Sequence, residues 1–224
     1  MTGRLRILGV VLGLIGAVFL VAGGVAYSQV QDGYGSLQSF SEVQDVNLTY
    51  NDEGQLIDRG TTEGADAIRQ LLEEDWGYPV VESDLDPDDP LVNTATEYMY
   101  QMATVGYHVL NGTHTVELEE AVEYNGETFE AGTHEFNIDG RYWNDFDREH
   151  PIEGPAREMA WTGTVHGLFG ELGVGTVTHS ALQMGLALAG LFAGIGVTLV
   201  IAGGGVVWVS YGRRRTEAKE PAAA

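Results

Sequence analysis

The sequence predicts an α+β protein in which two transmembrane helices flank one extracytoplasmic domain. Residues 7–27 and 172–212 contain no charged residue, and each stretch is long enough to cross a bilayer core of about 30 Å once as a helix. The block between them is crowded with Asp and Glu. Within this block, hydrophobic spacing indicates first amphipathic helices and then a small antiparallel β-meander.

These patterns divide the chain into five segments. Residues 1–6 are predicted to be a cytoplasmic N-terminus, and residues 7–27 the first transmembrane helix. An acidic extracytoplasmic α+β domain follows over residues 28–180, and the second transmembrane helix over residues 181–210. Residues 211–224 form a tail that is first basic and then disordered. The predicted location is the cell membrane, with two spans.

The first apolar stretch has an alternative interpretation as a cleaved signal peptide. Arg4 and Arg6 form a charged leader, and the small residues 24–26 resemble a cleavage site. The apolar region of a signal peptide usually covers about 7–15 residues. The stretch in this chain is longer, which favours an uncleaved span.

Basic residues predict the orientation of the two spans. Arg4 and Arg6 precede the first span, whereas Lys219 and the arginines at 213–215 follow the second. Positively charged flanks remain in the cytoplasm. We therefore expect both termini inside the cell and the central domain outside.

The central region is strongly acidic. The formal net charge of the chain is −22, and the two tails carry +4, which leaves −26 between the spans. This region contains five arginines and no lysine. Such a surface is typical of halophilic proteins; the alternative is an acidic secreted domain of a GC-rich bacterium.

Nucleic-acid binding is disfavoured because phosphate contacts require clustered basic side chains. The chain has no cysteine, so disulfides and thiolate chemistry are excluded.

The first part of the outer region is predicted to be a linker followed by short secondary-structure elements. Residues 28–41 are rich in Gly, Ser and Gln, which predicts a linker. Residues 46–50 alternate as a strand and lead to a turn at 51–54. Residues 62–75 carry apolar side chains at helical spacing.

A second amphipathic helix is predicted to begin at Asp89 and Pro90 and to end at Asn111. Asp favours the N-cap and Pro the first helical position. An apolar stripe follows, formed by Leu91, Ala95, Tyr98, Met102, Val105 and Val109. Such a stripe indicates a packed core rather than a cofactor pocket.

The period changes to two from residue 113 to residue 143, which predicts the β-meander. The dipeptides Asn125-Gly126 and Asp139-Gly140 are hairpin signals, because both residues of such turns adopt positive φ. Helical spacing returns over residues 155–169. That segment is expected either to lie on the membrane surface or to lead into the second span.

Two kinds of candidate site can be assigned by residue. Asn47 and Asn111 begin N-glycosylation sequons on the predicted outer side. Gly9, Gly13, Gly190 and Gly194 form Gly-x-x-x-Gly pairs in the spans. Such pairs allow helices to approach closely, so we expect the spans to pack against each other or against a second copy.

The sequence supplies no catalytic, cofactor-binding or metal-binding assignment. Its six histidines lack a recognised ligand spacing, and the acidic run at 84–89 lacks the turn glycine and terminal Glu of a calcium loop. No serine-hydrolase or phosphate-loop motif is found. We therefore expect a protein that is not an enzyme and binds no cofactor.

About half of the chain resembles small two-span actinobacterial membrane proteins of unknown function. The similar parts are the glycine-rich first span, residues 65–72, residues 85–90 and the glycine-rich last span. Members of that group often carry the label of an aromatic ring-opening dioxygenase. This chain offers no iron-ligand set, so the resemblance implies the topology and no activity.

Three functions remain open at this point. The first is a non-enzymatic envelope protein whose outer domain binds a partner protein or polymer. The second is an accessory subunit of a larger membrane complex, docked through its glycine faces. The third is an enzyme or metal-dependent sensor at the membrane surface. The expected partners are the lipid bilayer and, through the spans, a second copy or another membrane protein.

Overall fold

The computed structural model describes residues 2–217, with side chains from residue 3 to residue 211. The fold is α+β, as the sequence predicts. The described helices are α1 (Thr2–Gln44), α2 (Thr62–Gln70), α3 (Ala95–Leu110), α4 (Glu153–Ala160) and α5 (Gly163–Glu217). The described strands, between α3 and α4, are β1 (Thr113–Leu118), β2 (Val122–Tyr124), β3 (Glu127–Phe129) and β4 (Gly132–Asn137). The predicted disordered end, residues 218–224, lies outside the described residues.

The chain forms two compact units. The first contains α1 as far as Leu37 and α5 from Ser180 onward, and we call it the helix pair. The second, Gln38–His179, is called the α+β unit. Each unit is described separately below.

Helix α1 is longer than the sequence predicts. The expected linker over residues 28–41 is wrong, because α1 continues without a break to Gln44. Buried residues recur every seventh position at Gly9, Gly16, Gly23, Val30 and Leu37. A seven-residue repeat keeps one helix face against a neighbouring helix. Val30 and Leu37 therefore extend the packed face beyond the apolar stretch from which the span was predicted.

The helices of the α+β unit begin at side-chain caps. The Thr61 hydroxyl accepts a hydrogen bond from the Gly64 N–H and caps α2, which continues as one π-helical turn, Leu71–Asp75. Helix α3 begins at Ala95 rather than near the predicted Asp89, because Thr94 and Glu97 form a capping box there. Asp89 instead forms an isolated β-bridge with Asp86.

The strands form one interrupted β-ribbon, so the predicted meander is wrong. Strand β1 pairs antiparallel with β4, and β2 pairs with β3 inside that loop. Asn125 and Gly126 have φ of 50° and 84°, which confirms the predicted tight turn. Asp139 and Gly140 also have positive φ. The chain after them enters a loop rather than a further strand, because Ile138 and Gly140 donate backbone hydrogen bonds to Gly112 and Leu110 at the end of α3.

A hydrophobic core lies between α3, the ribbon and the start of α5. Its buried members are Leu71, Val109, Leu110, Ile138, Phe146, Ala160 and Trp161. A second cluster under β1 consists of Val116, Ile152 and Ala156.

Candidate functional site

The helix pair is joined along a seam of small residues that we call the glycine seam. A Cβ built on Gly9 would lie 2.6 Å from the carbonyl oxygen of Gly203, and one on Gly16 would lie 2.7 Å from that of Gly196. A Cβ on Gly23 would lie 3.0 Å from the carbonyl oxygen of Ala189. These distances leave no room for larger side chains, so the two backbones are in direct contact.

The faces outside the glycine seam are apolar and exposed. Val18 is 68% exposed, Val21 66% and Ile201 69%. Helices α1 and α5 are long and apolar enough to cross a membrane, judged by length and composition. Apolar surface of this extent is uncommon on a monomer in water and marks a membrane or protein contact.

The four glycines predicted to mediate helix packing lie in different environments. Gly9 belongs to the glycine seam, and the backbone of Gly13 lies opposite Gly203. A Cβ on Gly190 or Gly194 would meet nothing within 4 Å. These two glycines line an open groove on the outer face of α5, together with Leu191, Ile195, Thr198 and Leu199.

The two sequon asparagines are both exposed. The side-chain amide of Asn47 donates to a carboxylate oxygen of Asp45 at 3.1 Å. The amide of Asn111, at the C-cap of α3, donates to the carbonyl oxygen of Tyr107 at 2.9 Å. Glycosylation replaces one of the two protons on the side-chain amide nitrogen, so the other proton can still donate the local hydrogen bond.

The N-terminus of α3 is capped by three side chains, those of Thr94, Glu97 and His179. Glu97, only 2% exposed, accepts hydrogen bonds from the backbone N–H groups of Asn93 and Thr94 at 3.0 and 2.8 Å. The Nδ1 atom of His179 accepts from the Ala95 N–H at 3.1 Å. Burial raises the pKa of the Glu97 carboxyl, and hydrogen bonds from Asn93 and Thr94 partly oppose that shift.

A histidine–carboxylate pair lies further along α3. The Nε2 atom of His108 is 3.0 Å from Oδ1 of Asp58. Asp58 begins a tight turn that is closed by reciprocal backbone hydrogen bonds with Thr61, in which Arg59 and Gly60 have positive φ. An open cleft lies beside the pair. Such a pair can hold and exchange a proton, but a Ser or Cys nucleophile is not among the residues that line the cleft.

A polar cavity lies in the α+β unit between the turn at residues 50–56 and α2. Its volume is about 330 Å³. Six polar or charged side chains contribute to its wall, those of Tyr50, Gln55, Thr62, Asp66, Arg69 and Glu82. Arg69 forms ion pairs with Glu73 and Glu82. This wall has few apolar groups and is suited to a polar ligand.

Two tyrosine hydroxyls of the α+β unit are buried, and one of the two residues, Tyr50, lines this cavity. The hydroxyl groups of Tyr50 and Tyr100 are fully buried and have no hydrogen-bond partner among the described residues. Burial, with the nearby carboxylates of Glu97 and Asp86, raises the pKa of Tyr50 to about 12. Burial, followed by the Asp58 carboxylate, raises the pKa of Tyr100 as well. Both phenols are therefore protonated hydrogen-bond donors at neutral pH.

Several histidines have structural roles. The Nδ1 atom of His150 accepts from the Ile152 and Glu153 N–H groups at the start of α4. His134 contacts the Glu130 carbonyl oxygen at 2.9 Å. Among the described residues, no group of three or more His, Asp or Glu side chains is placed to hold a metal ion.

Sequence reasoning missed part of this arrangement. Thr94-x-x-Glu97 is a capping-box pattern that could have located the start of α3. The heptad that begins at Gly9 could likewise have located the glycine seam. The contact between His179 and Ala95 and the burial of Tyr50 and Tyr100 depend on tertiary packing and carry no local signal.

Comparison with known proteins finds no match among protein families, curated proteins or solved structures.

Proposed function

We propose that the chain is a two-span membrane protein in which α1 and α5 anchor a folded acidic domain outside the cell, where that domain binds a partner protein or polymer. The exposed apolar faces around the glycine seam carry this proposal. Val18, Val21 and Ile201 are each about two-thirds exposed, and a hydrocarbon environment would remove that surface from water. The seam itself would hold the two spans together within the bilayer.

The proposed orientation places both termini in the cytoplasm. It is supported by the basic residues of the sequence, with Arg4 and Arg6 before α1 becomes apolar and three arginines at 213–215. Positive residues near the ends of a span set its orientation. The α+β unit, with its excess of carboxylates, would then lie outside.

Binding, rather than catalysis, is the proposed role of the α+β unit. Glu97 and His179 cap α3, and His150 caps α4. These buried or half-buried titratable groups are thus engaged in holding helix ends, which supports a structural assignment for them. The wall of the polar cavity offers hydrogen-bonding groups suited to recognition.

Membrane extraction tests the anchoring. Membranes from cells that express the full chain are washed with alkaline carbonate and then with mild detergent. The proposal predicts that the protein stays in the carbonate pellet and dissolves only in detergent. Release by carbonate, or a mature protein that begins near Tyr27, would contradict a two-span anchor.

A second candidate function is an accessory subunit of a larger membrane complex. The open groove at Gly190 and Gly194 favours it, because small residues on an outward face admit another helix. Purification in mild detergent separates the two candidates. The subunit role predicts a stoichiometric partner that co-purifies with the wild type. This partner should be lost from the Gly190→Leu variant and retained by the control variant Gly3→Leu.

A further inference from the structure

The start of α3 is joined to α5 through an imidazole ring. The backbone N–H of Ala95, the first residue of α3, donates to Nδ1 of His179 at 3.1 Å, and His179 is only 8% exposed. The first N–H groups of a helix have no partner within the helix, so His179 supplies the acceptor. Gly175, one turn before His179 on α5, lies against the ring of Tyr98, since a Cβ there would be 2.6 Å from Cε1. The two helices therefore meet closely around this hydrogen bond.

This hydrogen bond requires that Nδ1 carry no proton. A neutral imidazole has one acceptor nitrogen, whereas both nitrogens of the imidazolium ion are donors. Protonation of His179 would therefore place a donor opposite the N–H of Ala95. It would also place a positive charge at the positive end of the α3 macrodipole, where cations are destabilising. Both effects break the contact between the start of α3 and α5 when the imidazole becomes charged.

The charged groups near His179 are carboxylates on three elements. Asp84 belongs to the short 3-10 turn at residues 82–84 and favours a positive imidazole. Glu97 caps the same end of α3, and Asp89 acts on Glu97 in turn. On α5 itself, the nearest carboxylate is that of Glu171, two turns earlier. Burial nevertheless lowers the pKa of the His179 imidazole, and the Asp84 carboxylate opposes this shift only in part.

We propose that His179 and Ala95 form an acid-sensitive latch, in which the neutral imidazole holds the start of α3 against α5 and protonation releases it. A second contact, between the hydroxyl groups of Ser41 and Tyr98, joins α3 to the end of α1 and involves no imidazole. Acid is therefore expected to separate the start of α3 from α5 while α3 stays joined to α1. Such a latch goes beyond a binding role, because it makes the conformation of the α+β unit depend on the pH around it.

The sign of the pH effect follows from the lowered pKa of His179. The imidazole binds a proton less readily in the latched state than after release. The stability of the latch is therefore fully present above the usual His pKa of about 6.5 and is lost as the pH falls through the lowered pKa. Between these two pKa values, the ratio of latched to released protein should fall by up to about tenfold per pH unit.

Hydrogen exchange of the full chain in detergent tests the latch. Mass spectrometry gives protection factors, corrected for the intrinsic pH dependence of exchange, from about pH 7.5 to about pH 4.5, a range that brackets the usual His pKa. Protection of peptides that cover the start of α3 should fall as the pH drops below about 6.5. Peptides of α2, which is capped by the hydroxyl group of Thr61, should keep their protection over the same range.

Substitutions of His179 assign the pH effect to the imidazole. In His179→Asn, the side-chain oxygen occupies the same place along the side chain as Nδ1 and accepts without titrating, so protection at the start of α3 should change little with pH. His179→Phe has no acceptor, so protection there should be about 2- to 13-fold lower than in the wild type at neutral pH. His114→Asn, on β1 beyond the other end of α3, is the matched control and should keep the wild-type pH dependence.

Three results would overturn the latch. The first is wild-type protection at the start of α3 that stays constant to the acidic end of the range. The second is an equal fall in His179→Asn and the wild type, which would assign the effect to another group such as Glu97. The third is an equal fall in α2, which would indicate general acid unfolding. The wild type and His179→Asn decide the question even if His179→Phe does not fold.

Discussion

Gly16 of α1 and Gly196 of α5 exclude side chains from each other's position. A Cβ on Gly16 would lie 2.7 Å from the carbonyl oxygen of Gly196, and a Cβ on Gly196 would lie 2.8 Å from that of Gly16. The two atoms nearest to a Cβ on Gly16 are backbone atoms, the carbonyl oxygen of Gly196 and the nitrogen of Val200, which cannot move aside as a flexible side chain could. The separation of the two helices is therefore set by the absence of side chains at this pair.

A single methyl group at this pair should loosen the helix pair. Gly16→Ala is expected to destabilise the folded chain by about 1–3 kcal/mol through overpacking, despite the better intrinsic helix propensity of Ala, about 1 kcal/mol. Gly24→Ala is the matched control, because a Cβ there meets nothing within 4 Å. It should leave stability unchanged or slightly raised. Thermal unfolding in detergent measures the melting temperatures of both variants. Equal melting temperatures would contradict close packing of the two helices at the glycine seam.

The ribbon turn makes a separate prediction. Gly126 has φ of 84° with open space around it, so a substitution acts through backbone strain alone. Gly126→Val should destabilise the α+β unit by about 1–2 kcal/mol, because an L-residue resists the left-handed region. Asn125→Gly retains access to positive φ and should be nearly neutral. Unfolding by denaturant gives both values, and an unaffected Gly126→Val protein would show that the turn can relax.

The capping carboxylate of α3 predicts a pH effect of known sign. The folded pKa of Glu97 is raised above its unfolded value. Its contribution to stability is therefore fully present below the unfolded pKa and is lost as pH rises through the folded pKa. Glu97→Gln keeps an oxygen acceptor but does not titrate.

As the pH rises from about 4, near the usual Glu pKa, to about 7, the melting temperature of the wild type should therefore fall relative to that of Glu97→Gln. Glu53→Gln, at an exposed position, is the matched control for the loss of one carboxylate. A difference that is constant with pH would contradict a raised pKa of Glu97, and a difference that moves the other way would show that the hydrogen bonds from Asn93 and Thr94 outweigh burial.

The acidity of residues 28–180 predicts a dependence on salt. Like charges destabilise a compact state by mutual repulsion, and the screening length falls from about 30 Å at 0.01 M salt to about 3 Å at 1 M. The melting temperature of the full chain should rise steeply across this range of potassium chloride. A melting temperature that is flat in salt would remove the main support for a halophilic origin.

Local patterns predicted a good part of this fold. Residues 62–75 are helical, Asn125-Gly126 reverses the ribbon, and Asn111 is the C-cap of α3. These features are predictable because propensity and turn chemistry act over a few residues. The strand order was wrong because turn signals show where a chain reverses but not which strand it meets next.

The rest depends on contacts between residues that are distant in the chain. His179 reaches Ala95 across 84 positions, and Ser41 and Tyr98 place their hydroxyl oxygens 2.8 Å apart across 57. A ring nitrogen and a hydroxyl carry no sequence signal for such partners. The predicted linker failed for a related reason, since Val30 and Leu37 are held in a helix by packing rather than by their polar neighbours.

Topology is the most direct test of the membrane-anchor account, and the absence of cysteine makes it simple to measure. Single cysteines are introduced as Thr2→Cys, Asp88→Cys and Ala222→Cys, and intact cells are treated with a membrane-impermeant maleimide. The account predicts that Asp88→Cys is labelled in intact cells, whereas the two terminal cysteines react only after lysis. Labelling of either terminal cysteine in intact cells, or protection of Asp88→Cys, would contradict an outer domain held by two spans.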